Sequence, residues 1–189
     1  MDLRQPLRTD RLVLRALNAS DLEGHHRLFS DPEVVRFLYD DVMDLGEAAA
    51  HLQRRSRTTL PGEGEYLNLA VEADGQFVGE VAVALTSLQH HQCEVGYVFD
   101  SRCRGRGFAT EATARMVDLA FEELGAHRVA GRMDARNAAS ARVMERLGMR
   151  REAHLRENEF VKGEWTDEVV YATLAGEWFA RARRQGVPR

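Results

Sequence analysis

A strand, a glycine-rich turn, a helix and a second strand follow one another between residues 92 and 133, and this order most constrains the fold. "QCEVGYVF" at 92–99 alternates apolar and polar side chains, as a half-buried strand does. Apolar residues then recur every fourth position from Phe108 to Leu124, which is typical of a helix, and "HRVAGRM" at 127–133 is strand-like again. Two strands joined by a crossover helix pair in parallel. The segment therefore predicts a mixed α/β fold with a parallel strand pair.

The other periodic segments surround this unit. They predict strands at 11–17, 66–73, 76–85 and 168–174 and helices at about 21–29, 32–38, from 44 onward and at 137–147. Ser20-x-x-Glu23 and Asp44-x-x-Glu47 have the spacing of capping boxes at helix starts. Asp74-Gly75 and the segment 161–165 predict hairpin turns. Because no linker or repeat interrupts the chain, we expect one domain over residues 1–189, with a frayed tail at about 180–189.

Composition excludes several classes of protein. The net charge of -4 disfavours a dedicated nucleic-acid binder, and an amine is a better fit as partner. Cys93 and Cys103 are too few for a zinc site or a disulfide framework, and no run is apolar enough to span a membrane. The opening "MDLRQPLRTDRLVLRAL" lacks the apolar core of a signal peptide, so we expect a cytoplasmic protein.

The turn "DSRCRGRG" at 100–107 precedes the start of a helix, where backbone N–H groups lack an intrahelical acceptor and the helix dipole is positive. Such a site binds phosphate, and Gly105 and Gly107 let the backbone approach it closely. Arg102, Arg104 and Arg106 can add charge-assisted contacts. The Gly-Lys-Ser/Thr ending of a P-loop is absent, and so is the third glycine of the dinucleotide fingerprint. An Arg/Gly turn before a helix also occurs without a ligand, so the turn alone leaves both interpretations open.

Six blocks in the same order resemble the GNAT superfamily of N-acetyltransferases, and in particular its RimJ/RimL branch of ribosomal-protein N-terminal acetyltransferases. They are "TDRLVLRAL" at 9–17, "SDPEVVRFL" at 30–38, "EVGYVF" at 94–99, "RGRGFA" at 104–109 followed by "TEA", "NAASARVMERLGM" at 137–149 and "KGEWTDEVVYATL" at 162–174. The resemblance covers nearly the whole chain. It implies a mixed, mostly antiparallel sheet flanked by helices, with one parallel pair of strands that splay apart.

The resemblance also implies acetyl-CoA as co-substrate, and no metal. The CoA pyrophosphate would lie on the backbone of Arg104, Gly105, Arg106, Gly107, Phe108 and Ala109. The pantetheine arm would lie beside Tyr97, Val98 and Phe99, with Asn137 as a further contact. Gly96 would leave room for the arm, and an unpaired N–H of the splayed strand would polarise the thioester carbonyl.

For catalysis, direct transfer to an amine requires a route for the amine proton and a proton donor for the thiolate. Many GNAT enzymes carry a tyrosine donor seven residues after the asparagine, but this position is Met144 here, so the resemblance points to Ser140 instead. Glu159 matches the branch's catalytic acid, with Glu94 and Asp167 as rivals. Tyr171 could donate a proton but more simply packs in the core. His25-His26 and His90-His91 are interpreted as solvated surface pairs.

The expected activity is acetyl transfer to a primary amine, which the RimJ/RimL resemblance makes the α-amino group of a protein. Polyamines, aminoglycosides and amino acids are alternative acceptors. A non-catalytic CoA-binding sensor and a basic nucleic-acid module are alternatives of other classes. The branch also makes a homodimer a common expectation.

Overall fold

The structure is a computed structural model that describes residues 5–57, 59 and 62–185. Within these residues eight strands form one sheet in the order β1-β2-β3-β4-β5-β6-β8-β7. The strands are β1 Leu7–Arg8, β2 Leu12–Ala16, β3 Tyr66–Ala73, β4 Gln76–Ser87, β5 Gln92–Phe99, β6 Arg128–Asp134, β7 Arg150–Val161 and β8 Glu164–Leu174. The helices are α1 Leu22–Phe29, α2 Pro32–Val35, α3 Leu45–Arg55, α4 Phe108–Glu122, α5 Ala138–Arg146 and α6 Ala175–Gln185.

The β5–β6 pair is parallel, and every other strand pair is antiparallel. Its register runs only from Gln92 opposite Arg128 to Glu94 opposite Ala130. Beyond Glu94 the two strands separate, although β5 continues to Phe99 and β6 to Asp134. The predicted fold, including the splayed parallel pair, is confirmed.

The two faces of the sheet are covered differently. On one face the apolar side chains of the central strands pack against α4, α5 and α6 in the main core, in which Met116, Leu119 and Val129 are fully buried. On the other face α1 packs against β4 and α3 against β3. A cavity lies in the concave region next to these helices, over β5, β6 and β8.

The predicted helix starts are confirmed in one case and wrong in another. Asp44 and Glu47 form the expected reciprocal capping box at α3. At α1 the box is formed by Asn18 and Asp21 rather than Ser20 and Glu23. A single 3-10 turn, Ala19–Asp21, precedes α1, and the capping contacts belong to the start of that turn. The next helix, α2, ends at Val35, three residues before the predicted end.

The C-terminal segment from residue 180 was expected to be frayed, but residues through Gln185 continue α6. Two aromatic residues anchor this helix to α4. The Trp178 indole donates a hydrogen bond to Asp118 at 2.7 Å, and the Phe179 ring packs edge-on against Phe121. These contacts with α4 explain why the chain is helical through Gln185 rather than frayed from residue 180. Residues 186–189 of the predicted tail lie outside the described residues.

Candidate active site

The turn between β5 and α4 is built on two glycines in the left-handed conformation. Gly105 has φ +78° and Gly107 has φ +80°, so both occupy backbone geometry that other residues adopt only with strain. Asp100 precedes them and caps a 3-10 turn at Ser101–Cys103. Hydrogen bonds, first from Arg102 and then from Arg27, hold the pKa of Asp100 well below its usual range. The turn thus begins at a charge-paired residue, Asp100, and ends in backbone geometry that favours glycine.

The start of α4 carries unpaired backbone donors. Gly107 occupies the N-cap position, and the first helical hydrogen bond runs from the Glu111 N–H to the Gly107 carbonyl at 3.1 Å. The N–H groups of Phe108, Ala109 and Thr110 therefore have no intrahelical acceptor. A phosphate at this place would receive their hydrogen bonds and the favourable end of the helix dipole.

The arginines near this turn have different partners. Arg102 forms an ion pair with Asp100, whereas the Arg106 guanidinium lies 4.4 Å from the centre of the Phe108 ring. Arg11, at the start of β2, donates from Nη1 to the carbonyl of Arg106 at 2.9 Å. Sequence reasoning missed Arg11, since nothing in its own segment indicates that β2 passes beside a turn about 95 residues away.

A cavity formed by the described residues has a volume of about 540 Å³ and includes the gap between β5 and β6. Gly96, Tyr97 and Val98 line it from β5, and Asn137 and Ser140 line it from the start of α5. A side chain at Gly96 would meet no atom within 4 Å, so there is open space beside the strand. Predicted donor-site and catalytic residues from both sides of the splay therefore share one cavity.

At the start of α5, Asn137 is the N-cap and accepts a hydrogen bond from the Ser140 N–H at 3.1 Å. The Ser140 hydroxyl has no hydrogen-bond partner among the described residues, and the Ser140 carbonyl accepts from the Tyr97 hydroxyl at 3.2 Å. Burial raises the pKa of Tyr97 to about 12, so its phenol stays protonated. Met144 is buried against Gly131, and its thioether can donate no proton.

Glu159 reaches the cavity from β7. Its two carboxylate oxygens each lie 2.7 Å from the hydroxyl of Tyr39, which follows α2. Partial desolvation of the hydroxyl at the cavity mouth, together with this hydrogen bond, raises the pKa of Tyr39 above its ordinary value, although most of the side chain is exposed. The register of β7 shifts between Leu155 and Glu159, which places Glu159 opposite Thr166. Bulges of this kind re-aim side chains beside functional sites.

Seven carboxylates line the cavity, and six of them have a cationic or histidine partner. These six are Asp40 with His51, Glu80 with Arg55 and His25, Glu94 and Glu168 with Arg132, and Asp134 and Glu164 with Arg136. Glu159 has no such partner among the described residues. Its carboxylate is hydrogen-bonded to the hydroxyl of Tyr39, which carries no charge to offset it.

The rival residues have distinct positions. Glu94 lines the cavity, and burial raises its pKa in spite of Arg132, with the charges of Glu168 and Glu159 adding to the rise. Asp167 lies outside the cavity lining and accepts from the Glu157 N–H and from His154. Tyr171 is also outside, buried in the main core, with its hydroxyl bonded to Glu145. The core interpretation of Tyr171 agrees with the structure.

The interpretation of His25 as a solvated surface residue is wrong. His25 is fully buried, with Nδ1 in contact with Glu80 and Nε2 3.1 Å from Nδ1 of His51. Burial, and then the nearby Arg55 charge, lower the pKa of His51 to about 4. The helical position of His25 turns it toward β4, which adjacency to His26 in sequence did not reveal.

These features were compared with known proteins. Residues 11–150 match the family model described as "Acetyltransferase (GNAT) domain". The chain belongs to the GNAT acetyltransferase family. It is thus an acetyl-CoA-dependent acyltransferase, as the resemblance implied.

GNAT relatives differ in the substrates that their names state. The chain is similar to the uncharacterized N-acetyltransferase p20 of Bacillus licheniformis, with 25% identity over 92% of this chain and 98% of that protein. It is 32% identical to the putative ribosomal N-acetyltransferase YdaF of Bacillus subtilis over 56% of this chain and 57% of YdaF. It is 23% identical to the spermidine N(1)-acetyltransferase of Vibrio cholerae over 90% and 97% of the two chains.

Solved GNAT structures share the fold. A putative acetyltransferase from T. thermophilus superposes with a TM-score of 0.83 at 30% identity, over 96% of this chain and 95% of that one. RimL, the ribosomal L7/L12 α-N-protein acetyltransferase solved with CoA, has a TM-score of 0.75 at 19% identity, over 90% and 98%. Among the described residues of the present chain, no helix is long and apolar enough to cross a membrane. The same residues contain no cluster of three His, Cys, Asp or Glu side chains that could hold a metal ion.

Proposed function

We propose that this GNAT protein acetylates a cationic primary amine and that Glu159 receives the amine. The observation that carries the proposal is the carboxylate of Glu159, which lines the cavity beside the splayed strands and lacks a cationic partner among the described residues. A buried or half-buried carboxylate without a counter-ion favours a cationic ligand. An ammonium group of the acceptor would supply that charge.

The donor end of the proposed site uses backbone groups. The pyrophosphate of CoA would lie on the N–H groups of residues 104–109, where Gly105 and Gly107 allow close approach. The pantetheine arm would follow Tyr97, Val98 and Phe99 along the edge of β5 that β6 leaves unpaired. A free N–H on this edge would stabilise negative charge developing on the thioester oxygen.

The protein's own side chains would move the protons. Glu159 takes a proton from the ammonium, so that the neutral amine can attack the thioester carbon. The new C–N bond forms as the C–S bond breaks, and the Ser140 hydroxyl donates a proton to the departing thiolate. The new amide nitrogen loses its second proton, which returns through solvent to the Ser140 oxygen, so that the serine is again a hydroxyl. Tyr39 orients Glu159 by donating its hydroxyl proton to the carboxylate. Asn137 keeps the first turn of α5, and with it Ser140, in position.

For the acceptor we propose a protein α-amine, as in the RimJ/RimL branch. The cavity opens beside exposed aromatic side chains, Tyr39 at 72% and Tyr66 at 52%, which could contact the residues that follow an N-terminal amine. Small amines are the second candidate, because the cavity of about 540 Å³ suits a ligand of that size. The name of the V. cholerae relative, a spermidine acetyltransferase, supports this alternative.

A thiol-release assay with acetyl-CoA and a panel of amines tests the proposal. The panel contains peptides with free or blocked N-termini, polyamines, aminoglycosides and amino acids. We expect turnover with free N-terminal peptides and none with blocked ones. Preferential turnover of a polyamine would assign the small-amine alternative, and tight CoA binding without turnover of any amine would favour a CoA sensor.

We also propose that two copies associate as a homodimer through the outer edge of β7. This strand ends the sheet order, and Phe160 and Trp165 beside it form an exposed aromatic pair. An open edge flanked by apolar side chains pairs readily with another chain. Light scattering is expected to give twice the mass of one chain, and a monomer at micromolar concentration would contradict the proposal.

A further inference from the structure

An ion-pair cluster joins the turn between β1 and β2 to the start of α4, directly beside the glycine turn. Glu111, in the first turn of α4, accepts hydrogen bonds from the Thr9 hydroxyl at 2.6 Å, the Arg11 N–H at 3.0 Å and Arg11 Nε at 2.7 Å. Arg11 Nη2 also lies 2.6 Å from the carboxylate. Burial alone would raise the pKa of Glu111, but the hydrogen bonds from Thr9 and Arg11 outweigh it and lower the pKa. Glu111 is therefore a firmly held anion.

The two terminal nitrogens of Arg11 also contact the glycine turn. Nη1 donates to the Arg106 carbonyl at 2.9 Å, and Nη2 lies 3.3 Å from where a Cβ of Gly107 would be. The Arg11 guanidinium also stands 5.2 Å from the centre of the Phe108 ring. Of the five N–H donors of an arginine, one on each terminal nitrogen remains available.

The planarity of the peptide bond gives this contact a directional consequence. In a trans peptide the C=O and the following N–H point in opposite directions. A hydrogen bond that holds the Arg106 carbonyl toward Arg11 therefore holds the Gly107 N–H away from it. Gly105 and Gly107 confer flexibility on this segment, so an external anchor is needed to keep one orientation.

We propose that Arg11 is a positioning residue of the donor site: it fixes the Arg106–Gly107 peptide so that the Gly107 N–H faces the pyrophosphate, and Glu111 and Thr9 hold Arg11 in place. This inference rests on the donor site proposed above. The negative charge of Glu111 lies in the first turn of α4, where it would repel a bound pyrophosphate. The positive charge of Arg11 neutralises it, and the same ion pair holds Arg11 in position.

The test is the affinity of CoA for variants of the full chain, measured by calorimetry. Arg11→Gln is expected to weaken CoA binding about tenfold, the effect of one charge-assisted hydrogen bond. Arg150→Gln is the matched control, because Arg150 is equally exposed and also forms ion pairs, with Glu152 and Glu177, but lies on β7. It should leave the affinity within about twofold. Equal affinity of the Arg11→Gln variant and the unmodified protein would overturn the inference.

Glu111→Gln separates positioning from simple charge attraction. If Arg11 acted only by its charge, removal of Glu111 would strengthen CoA binding. Because we infer that Glu111 holds Arg11 in position, we expect binding to weaken by about threefold to tenfold, and tighter binding would contradict the proposal. Once the amine panel gives an acceptor, the Arg11→Gln variant should show a raised KM for acetyl-CoA with kcat unchanged at saturation. A lowered kcat with unchanged KM would assign Arg11 another role.

Failure of the inference about Arg11 can be distinguished from failure of the donor-site proposal. If Gly107→Val leaves CoA affinity unchanged, the pyrophosphate does not lie on this turn and the donor-site proposal fails. If Gly107→Val weakens binding and Arg11→Gln does not, only the role of Arg11 is wrong. Circular dichroism and the unfolding temperature of each variant without ligand identify any loss of folding.

Discussion

The proposed site has two ends, which are constructed in different ways. The proposed donor end consists mainly of backbone from one continuous segment, residues 97–109, in which Gly105 and Gly107 have positive φ. The proposed acceptor end consists of side chains from distant parts of the chain, such as Tyr39 and Glu159, which are 120 residues apart. A backbone site can bind the invariant part of a co-substrate, whereas a side-chain site can change its specificity by substitution without loss of the fold. Substitutions at the two ends should therefore affect different steps.

Glu159→Gln should have the largest effect and should act on the acceptor end alone. Loss of the proton acceptor is expected to lower kcat by about a hundredfold, the usual contribution of a general base, while CoA affinity stays nearly constant. Steady-state kinetics and calorimetry check the two parts. Glu164→Gln is the matched control, since Glu164 lines the same cavity but is paired with Arg136. Loss of CoA binding in the Glu159→Gln variant would instead make Glu159 structural.

Gly107→Val should affect the donor end. A β-branched residue at φ +80° adds about 2 kcal/mol of strain, so CoA affinity is expected to fall about 30-fold. Gly75→Val at the β3–β4 hairpin, where φ is +72°, imposes similar strain away from the cavity. If both variants weaken CoA binding equally, the effect is one of general stability rather than of the turn.

Ser140→Ala tests whether the Ser140 hydroxyl, which lies between the two ends, donates a proton to the thiolate. Removal of the hydroxyl is expected to lower kcat about tenfold with little change in CoA affinity, because its backbone N–H bond to Asn137 is retained. Ser140→Cys restores a proton donor and should recover part of the rate. An unchanged kcat in the alanine variant would remove Ser140 from the mechanism.

Tyr39→Phe should have the smallest effect. The phenol orients the Glu159 carboxylate, so we expect kcat/KM for the amine to fall about threefold at neutral pH. Steady-state kinetics check this, and an unchanged kcat/KM in the variant would show that the hydroxyl of Tyr39 does not orient Glu159.

The predictability of the site follows the same division. The strand order around β5 and β6, the left-handed Gly105 and Gly107 and the N-cap at Asn137 follow from local patterns, because each depends on the backbone preferences of a few adjacent residues. The contacts of Tyr39, Arg11 and His25 could not be predicted in this way. They depend on which helix face turns toward the sheet and on the register shift in β7.

The sequence by itself determined the family, the parallel crossover unit and the turn where a phosphate can bind, because glycine, capping residues and apolar periodicity act over short distances. Only the tertiary structure decided that Glu159 lies in the cavity with no cationic or histidine partner among the described residues. It also decided that Arg11 contacts the glycine turn from β2. Such contacts join side chains about a hundred residues apart, and packing rather than local preference brings those side chains together.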